Sequence, residues 1–336
     1  MGDTKVIVIA EIGVNHNGSL ETAKRLVDVS AMAGADYAKF QTFRSAALAS
    51  KDAPVAKYQR AASAGANQQD LLASLELSEA DFLELREYCS ARRIGFLTTA
   101  HDLESAAFVM NLKSDFIKVP SGDITNYPFL RVVGGQGTPI LLSTGASRAD
   151  EVEQALEVLQ SAGAPRSDVT VLQCTTEYPA PHSEANLLAM VEMGQRWGVA
   201  VGFSDHTSGQ DAAIAAVALG ASVLEKHITL DRTMSGPDHA ASLQPDEFSS
   251  LVAGIRRVEQ ALGGHRKDVT VSESENRAII RKSIIAAEPI EAGDLLNQHN
   301  LGVTRPGTGL SPMLWPDLLG KRAGRSYTRG EMIELP

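Results

Sequence analysis

The sequence predicts an α/β protein, a (β/α)8 TIM barrel followed by a small C-terminal domain. Strand-like and helix-like segments alternate as far as residue 264, which is typical of parallel strands joined by helical crossovers. Eight of these segments are short apolar runs, and each run ends abruptly in polar residues. The composition then changes after Gly263-Gly264, where a polar stretch precedes a region of short strands and turns. These observations predict a barrel joined to a second, smaller unit.

The eight predicted strands are short and mostly apolar, as buried parallel strands usually are. They span residues 6–10, 37–41, 94–98, 116–119, 140–143, 169–174, 200–204 and 223–227. A doubly wound open sheet is the alternative architecture. No Gly-x-Gly-x-x-Gly motif follows the first run, however, and eight strand–helix units favour closure into a barrel.

Capping signals support the helices expected between the strands. Ser19 precedes the first helical pattern, which ends at Gly34, and Ser78 with Asp81 forms a capping-box pattern. The predicted helices span residues 19–33, 78–92, 103–111, 148–162, 185–197, 210–219 and 245–262.

The chain is expected to divide into a barrel at residues 1–264, a linker at 265–282 and a small domain at 283–336. A segment of about 50 residues can barely bury a core of its own. We therefore expect the small domain to dock, either on its own barrel or on a partner subunit.

Bulk composition excludes several classes of function. Of the 336 residues, 43% are hydrophobic and 21% are charged, which is typical of a soluble globular protein. The formal net charge of -10 argues against a nucleic-acid binder. Two cysteines, Cys89 and Cys174, cannot form a disulfide framework. Since residues 1–5 lack a signal-peptide core and no apolar run is long enough to cross a membrane, we expect a cytoplasmic protein without membrane association.

Two histidines at the ends of neighbouring predicted strands are the most informative residues. His206 follows the seventh predicted strand by two residues, and His227 ends the eighth. Imidazoles held side by side at the tips of rigid strands can share one divalent metal. The alternative is that each histidine only makes a hydrogen bond at a turn. Ser204, Asp205 and Glu225 lie beside them in the sequence and favour the metal site.

The remaining strand tips are polar as well. They carry Glu11, Lys39, Gln41, Thr98, Thr99, Lys118, Ser121, Ser143, Thr144, Thr175, Thr176 and Tyr178. Active sites of (β/α)8 barrels lie at the carboxyl ends of the strands. Because chance would leave several tips apolar, the pattern predicts an enzyme without reference to any family.

Lysines and hydroxyls at the tips predict an anion site. Lys118 is followed by Ser121-Gly122, and the next tip carries Ser143, so a cation, hydroxyls and accessible backbone amides surround one position. The alternatives are that Lys39 or Lys118 pairs with a carboxylate such as Glu11, and that Ser143 caps a helix.

Two carboxylates are candidates for acid–base chemistry. Glu11 ends the first strand, and the alternative is that it only pairs with Lys39. Asp238 follows the eighth strand within a Gly-Pro-Asp turn signal, so turn formation is its alternative role. The segment Asn15–Gly18 is expected to form a turn, with a sugar contact as the alternative, and His101 is expected to be structural because it precedes a helix.

These motifs together resemble the sialic acid synthase family. The resemblance runs in order along nearly the whole chain and rests on Ile9-Ala10-Glu11-Ile12-Gly13, Asn15-His16-Asn17-Gly18, Lys39-Phe40-Gln41-Thr42, Lys118-Val119-Pro120-Ser121-Gly122, Leu142-Ser143-Thr144-Gly145, Ser204-Asp205-His206-Thr207 and Glu225-Lys226-His227. The C-terminal Val303-Thr304-Arg305-Pro306-Gly307-Thr308-Gly309 is similar to the antifreeze-like (SAF, β-clip) domain of that family.

The resemblance implies condensation of phosphoenolpyruvate with an N-acetylated hexosamine, with release of phosphate and use of Mn2+ or Mg2+. It assigns His206 and His227 to the metal, and Glu11 and Asp238 to catalysis. The residues implied for phosphoenolpyruvate are Lys39, Thr99, Lys118, Ser121, Ser143, Thr176 and Ser204. Those implied for the sugar are Gln41, Tyr178 and Arg305, the last reaching the site of the other subunit in a domain-swapped homodimer.

The expected reaction is that of an N-acetylneuraminate synthase, with N-acetylmannosamine as the sugar. One alternative is a legionaminic acid synthase that uses 2,4-diacetamido-2,4,6-trideoxymannose. Another is a phosphoenolpyruvate-dependent aldol synthase that makes a shorter keto acid, and the SAF-like tail argues against it. A non-catalytic sugar-binding or ice-binding protein is the alternative from a different class, and the polar strand tips argue against it.

Arg305→Ala is expected to raise the KM for the sugar roughly tenfold and to leave the KM for phosphoenolpyruvate unchanged, because the resemblance places this guanidinium at the N-acetyl group. Steady-state kinetics with each substrate varied in turn would measure the two effects. Arg329→Ala, in the same domain, serves as the control. An unchanged sugar KM in Arg305→Ala would contradict the assignment.

Overall fold

The chain forms two compact units, Met1–Gly263 and Gly264–Pro336, in a computed structural model. The structure describes residues 5–50, 53, 67–264 and 266–335. Residues 1–4 lie outside the described residues, so most of the segment that lacks a signal-peptide core in the sequence is not described. Among the helices of the described residues, none is both long and apolar enough to cross a membrane.

The first unit is a closed barrel of eight parallel strands, which confirms the predicted fold class. Each strand pairs with the next along the chain, and the eighth pairs with the first. The strands are β1 Ile7–Gly13, β2 Tyr37–Thr42, β3 Gly95–Ala100, β4 Ile117–Val119, β5 Ile140–Ser143, β6 Val169–Cys174, β7 Ala200–Asp205 and β8 Val223–His227.

Ten helices of the described residues belong to this unit, and most of them pack against the outer face of the barrel. They are α1 Leu20–Met32, α2 Ser45–Leu48, α3 Gln68–Ala73, α4 Glu79–Ala91, α5 Leu103–Asn111, α6 Tyr127–Gly134, α7 Ala149–Ala162, α8 Leu187–Trp197, α9 Asp211–Ala218 and α10 Pro245–Leu262. Buried apolar side chains such as Leu26, Leu85 and Phe248 fill the layer between helices and strands. The predicted capping box at Ser78 and Asp81 is present at the start of α4.

Helices α2, α3 and α6 were not predicted from the sequence. The side chain of Asn126 caps α6, and Phe129, Leu130 and Val133 bury its inner face. Gly134 lies inside this helix and Gly135 ends it. Because glycine has a low helix propensity, the sequence pattern did not indicate a helix here.

The interior of the barrel is filled by one apolar layer. Its buried members come from β1, β3, β5, β6 and β8 and are Ile9, Leu97, Leu141, Leu172 and Val223. Because side chains alternate between the two faces of a strand, the residue two positions later on each strand also points inward. This layer therefore forms an apolar floor beneath the side chains at the carboxyl ends of the strands.

The second unit begins with a helix and continues as a small β-rich domain. Helix α11, Val271–Ile280, lies in the stretch expected to be a linker, and Thr270 with Glu273 forms its capping box. Strands β9 Ser283–Ala286 and β10 Leu301–Thr304 pair antiparallel, and a short helix, α12 Trp315–Leu318, follows. Ile284, Ile290 and Leu318 are among the residues of its separate core.

Gly202→Ala is expected to lower the free energy of unfolding by about 1–3 kcal/mol through overpacking. A Cβ at this position in β7 would lie 2.5 Å from the carbonyl oxygen of Val223 and 2.6 Å from a methyl carbon of Leu172. Gly135→Ala is the matched control, because its φ is -79° and the nearest atom to an added Cβ is 3.6 Å away. Urea unfolding would measure both variants, and equal stability of the two would contradict the packing argument.

Candidate active site

A cavity of about 410 Å³ opens at the carboxyl end of the barrel, and residues from all eight strand ends line it. Five of these lining residues follow the apolar floor by two positions each. They are Glu11, Thr99, Ser143, Cys174 and Glu225. The period of two therefore turns an apolar barrel interior into a polar cavity within one step of each strand.

Four buried charges lie next to one another at the base of the cavity. Lys39 Nζ is 2.6 Å from a carboxylate oxygen of Glu11 and 3.7 Å from one of Glu225. Lys118 Nζ is 3.7 Å from the other oxygen of Glu225. All four side chains are at most 5% exposed, so water screens their interactions little.

The two carboxylates differ in basicity. Burial raises the pKa of Glu11, although Lys39 opposes the shift. Burial acts in the same direction on Glu225, but Lys118 and Lys39 together lower the pKa of Glu225 below its usual value. Glu225 is therefore the permanent anion of the network, whereas Glu11 is the better proton acceptor.

Hydroxyl groups complete the anion site predicted from the sequence. Lys118 Nζ donates a hydrogen bond to Ser143 Oγ at 2.7 Å, and Ser204 Oγ donates to Glu225 at 2.9 Å. Ser121 and Thr176 line the same cavity, and Lys39 Nζ also donates to Thr99 at 3.1 Å. All seven residues that the resemblance assigns to phosphoenolpyruvate line this cavity.

The alternative role of Ser143 as a helix cap is wrong. The next helix, α7, begins at Ala149 and has Arg148 at its N-cap position. Lys39 and Glu11 do form an ion pair, which was the alternative to a role in the site. Both side chains nevertheless line the cavity, so pairing does not remove them from the site. Thr98 lies elsewhere, because its hydroxyl is 2.8 Å from that of Thr42.

His206 and His227 lie side by side at the tips of β7 and β8, with ring centroids 5.4 Å apart. His206 Nδ1 is 2.6 Å from the carbonyl oxygen of Thr175, so it donates and leaves the lone pair on Nε2. The Tyr178 ring stacks on His206 at 4.1 Å, and its hydroxyl is 3.1 Å from that Nε2.

Both imidazoles are neutral. Burial lowers the pKa of His206 to about 4 and lowers the pKa of His227 well below its usual value. His227 Nδ1 is buried without a hydrogen-bond partner among the described residues. Neutral imidazoles bind metals through an unprotonated nitrogen, and a bound ion would replace the hydrogen bond between the Tyr178 hydroxyl and His206 Nε2, so this pair fits a divalent ion. Within the described residues no group of three or more His, Cys, Asp or Glu is arranged for a metal, so substrate or water would supply the other ligands.

A buried ion pair behind the histidines holds their strands together. Lys226 Nζ donates to Asp205 at 2.7 Å and to the carbonyl oxygen of Thr207 at 2.6 Å. Asp205 also accepts from the backbone and hydroxyl of Thr207, both at 2.8 Å. This ion pair was not predicted from the sequence. Alternation could have revealed it, since Asp205 and Lys226 adjoin His206 and His227 and so point to the opposite face.

Asp238 lies above the histidines, with a carboxylate oxygen 3.6 Å from His227 Nδ1. Burial, with a contribution from nearby Glu11, raises its pKa to about 7. Asn15 donates to Ser242 Oγ at 2.8 Å, and Ser242 donates to the backbone carbonyl of Asp238 at 2.7 Å. Asn15 thus acts within the fold as part of the predicted turn.

The residues expected to contact the sugar are divided between the two units. Gln41 lines the cavity and donates to Glu11 at 2.9 Å, and Tyr178 lines it beside His206. Arg305 belongs to the second unit, where its Nε donates to the carbonyl oxygen of Ile280 at 3.0 Å. Apolar side chains also line the cavity: Val14, Leu48, Leu71, Leu72 and Leu75.

The closed barrel and the polar cavity at its carboxyl end define a (β/α)8-barrel enzyme. A model described as the NeuB family matches residues 26–267, and a model described as the SAF domain matches residues 281–335. The chain belongs to the NeuB family, as its resemblance to the sialic acid synthases predicts, and carries a C-terminal SAF domain.

Relatives and solved structures agree with this assignment. N,N'-diacetyllegionaminic acid synthase of Campylobacter jejuni is 43% identical over 98% of this chain and 99% of its own length. N-acetylneuraminate-9-phosphate synthase of Homo sapiens is 35% identical over 90% of this chain and 84% of its own. The crystal structure of N-acetylneuraminic acid (sialic acid) synthetase from Leptospira borgpetersenii in complex with citrate matches with a TM-score of 0.72 and 30% identity, covering 82% of this chain and 91% of that one.

Asp238→Asn is expected to stabilise the metal-free protein increasingly as the pH rises from about 4 to 7. The folded pKa of about 7 exceeds the ordinary value of 3.8, so folding favours the protonated acid. The contribution of Asp238 to the stability of the wild type is fully present below about pH 4 and is lost as the pH rises through 7. The neutral amide of the variant carries no such penalty. Chemical unfolding in the presence of a chelator would measure a gap of a few kcal/mol above pH 7. A gap that is constant with pH would contradict the shift.

Proposed function

We propose that this enzyme condenses phosphoenolpyruvate with an N-acetylated hexosamine to give a nine-carbon 2-keto sugar acid and phosphate. The observation that carries the proposal is the buried pair of lysines, Lys39 and Lys118, surrounded by hydroxyls and lying in one cavity with two neutral histidines. The names of the relatives, which are synthases of such acids, support the same reaction class.

Electrostatics favours a phosphorylated anion at the base of the cavity. Lys118, Ser143 and Ser204 already exchange hydrogen bonds or ion pairs with one another or with Glu225. A phosphate group can take over these donors as charge-assisted hydrogen bonds. Ser121 and Thr176 extend the cradle, while Lys39 and Thr99 suit the carboxylate end of the same substrate.

The two histidines are proposed to hold Mn2+ or Mg2+. When bound, a divalent ion there supplies Lewis-acid polarisation of the sugar aldehyde. His206 presents the lone pair of Nε2 because Thr175 accepts from its Nδ1, and the Lys226–Asp205 pair keeps the tips of the two histidine strands in register.

Glu11 is proposed to move the proton. Carbon 3 of phosphoenolpyruvate bonds to the aldehyde carbon, water adds at carbon 2, and phosphate leaves with cleavage of its C–O bond. The raised pKa of Glu11 suits a group that accepts a proton from this water or transfers one at the aldehyde oxygen, and both roles remain open. Gln41 orients Glu11 through a hydrogen bond at 2.9 Å. Asp238, which keeps a proton about half of the time near pH 7, can donate to the sugar in its protonated form.

For the sugar we propose 2,4-diacetamido-2,4,6-trideoxymannose in preference to N-acetylmannosamine. The relative that is 43% identical along 98% of this chain bears the name of a diacetyllegionaminic acid synthase. Leu71, Leu72 and Leu75 give the cavity an apolar wall that suits a second acetamido methyl and the methyl of a 6-deoxy carbon. Burial of each methyl contributes about 0.8 kcal/mol.

We also propose the domain-swapped homodimer that the resemblance to the sialic acid synthases implies. Arg305 lies in the SAF domain, and helix α11 of that unit has no buried residue, which suits a second copy covering it.

The family assignment makes the chain an enzyme, so a non-catalytic sugar-binding or ice-binding role is set aside.

A panel of sugars incubated with phosphoenolpyruvate and Mn2+ would test the proposed function. We expect phosphate release that requires the sugar, with the diacetamido trideoxy sugar giving the highest kcat/KM and mass spectrometry showing its keto acid. N-acetylmannosamine is the discriminating control, and mannosamine without the acetyl group is the negative one. Turnover only with erythrose or arabinose phosphate would overturn the proposal in favour of a shorter keto acid.

His206→Ala and His227→Ala are each expected to lower metal-dependent kcat at least 100-fold, because a lone imidazole leaves the ion with one protein ligand. His182→Ala is the matched control, since His182 is exposed at the surface. Activity would be assayed over a titration of Mn2+ in chelator-treated protein. Full activity of either variant at limiting metal would contradict the metal assignment.

A further inference from the structure

His101 is the one histidine of the cavity that the proposed reaction does not use. It directly follows β3, and its backbone N–H donates to the carbonyl oxygen of Thr42 at 3.2 Å, which continues the pairing with β2. Its side chain lines the active-site cavity together with Lys39 and Lys118. His101 therefore borders the substrate cavity in addition to preceding a helix.

The imidazole of His101 packs against one aromatic ring and makes no hydrogen bond with a described residue. Its ring meets Phe43 edge to face, with centroids 6.3 Å apart and an interplanar angle of 82°. Its Nε2 is buried and has no hydrogen-bond partner among the described residues. Nε2 is turned away from the open space of the cavity, and Nδ1 also makes no hydrogen bond with a described residue, so Nδ1 is the ring nitrogen that a ligand in the cavity can reach.

The charges around His101 differ on its two sides. Burial lowers its pKa to about 3, and Lys39 and Lys118 act in the same direction. Asp102, next in the chain, acts in the opposite direction. His101 also lines a second cavity of about 610 Å³ whose wall includes Asp102, Glu104 and Asp123.

Two consequences follow from these surroundings. The ring is neutral at pH 7 and carries one N–H, so it can donate a hydrogen bond without adding a charge to the lysine-rich site. An anion is repelled by the acidic second cavity and attracted to the side that faces the lysines. Gly122, beside the proposed phosphate cradle, lines both cavities together with His101, so the ring and the cradle open to the same space.

We propose that His101 is a further substrate-binding residue, whose imidazole N–H donates a hydrogen bond to a phosphate oxygen of the substrate held by Lys118 and Ser143. The inference rests on the proposed function for the identity of that substrate, phosphoenolpyruvate. It adds a donor from β3 to a cradle otherwise supplied by the strands and loops that follow it.

Binding and stability separate this role from a packing role. His101→Phe keeps an aromatic ring against Phe43 but removes the donor, and His101→Gln keeps an N–H donor without the ring. Isothermal titration with phosphoenolpyruvate, with and without Mn2+, would give the affinity of each variant, and a parallel titration would use inorganic phosphate. Thermal unfolding of the ligand-free proteins would report packing, and His182→Gln would serve as the exposed control.

The proposal predicts that His101→Phe weakens the binding of phosphoenolpyruvate and of inorganic phosphate roughly tenfold or more, because a hydrogen bond to a charged group is lost. His101→Gln should stay within about threefold of wild type, and the ligand-free melting temperature of His101→Phe should not fall, since Nε2 has no partner to lose. If His101→Phe does not fold, His101→Leu replaces it, and nitrogen-15 NMR of the histidine rings in wild type should show a shift of His101 on addition of phosphate.

Several results would overturn the proposal. Wild-type affinity in His101→Phe, or equal losses in the Phe and Gln variants, would reduce His101 to packing. Weakened binding of phosphoenolpyruvate with unchanged binding of inorganic phosphate would remove the contact with the phosphate group. Failure of the wild-type protein to bind phosphoenolpyruvate would overturn the proposed function as well, whereas tight wild-type binding unaffected by the substitutions would overturn only the role of His101.

Discussion

The buried network of Glu11, Lys39, Glu225 and Lys118 is the interaction on which the site depends. Burial of an ion costs several kcal/mol, and mutual attraction offsets this cost only if each charge keeps its partners. Here two cations and two carboxylates balance, with Lys39 between both carboxylates and Glu225 between both lysines. Removal of any one member would leave an uncompensated buried charge.

The same network explains how an anionic substrate can be bound and also activated. A phosphate or carboxylate that enters must compete with Glu225 for the lysines, and its negative charge further disfavours ionised Glu11. Glu11 already has a raised pKa, so the proposed arrival of the substrate makes it a stronger base when a proton must be accepted. Binding and proton transfer are therefore electrostatically linked through Lys39, which lies 2.6 Å from Glu11.

Strand alternation connects this chemistry to the fold. On one face each strand carries an apolar floor residue and then a polar cavity residue, as Ile9 and Glu11 do. On the opposite face the same strand ends carry their supports, of which Lys226 and Asp205 are the fully buried example. The histidines are rigid because the residues beside them are locked, so the site is positioned by the barrel itself.

Most of the barrel and much of the site could be predicted from the sequence. Strand ends coincide with abrupt changes from apolar to polar residues, which is why His206, His227, Lys118 and Glu11 could be identified as cavity residues. These tips are set by local periodicity, and parallel pairing then brings them together without further information.

Features that depend on loops and long-range packing could not be predicted. Helix α3 begins with Gln68, Gln69 and Asp70, so nothing in its composition indicates that the leucines after them line a substrate cavity. His101 precedes a helix, and the sequence does not indicate that its ring lines the same cavity as Lys39 and Lys118. Local pattern fixes neither the path of a loop nor the neighbours of a ring that follows a strand.

The central claim is that the buried lysines and their hydroxyl partners bind the phosphate of phosphoenolpyruvate at the base of the barrel. A crystal structure of the protein with phosphoenolpyruvate and Mn2+ would test it most directly. We expect phosphate oxygens within hydrogen-bonding distance of Lys118 and Ser143, with the ion on His206 and His227. A phosphate group bound outside the barrel, or inside it without contact to either lysine, would show that the lysines do not bind the substrate.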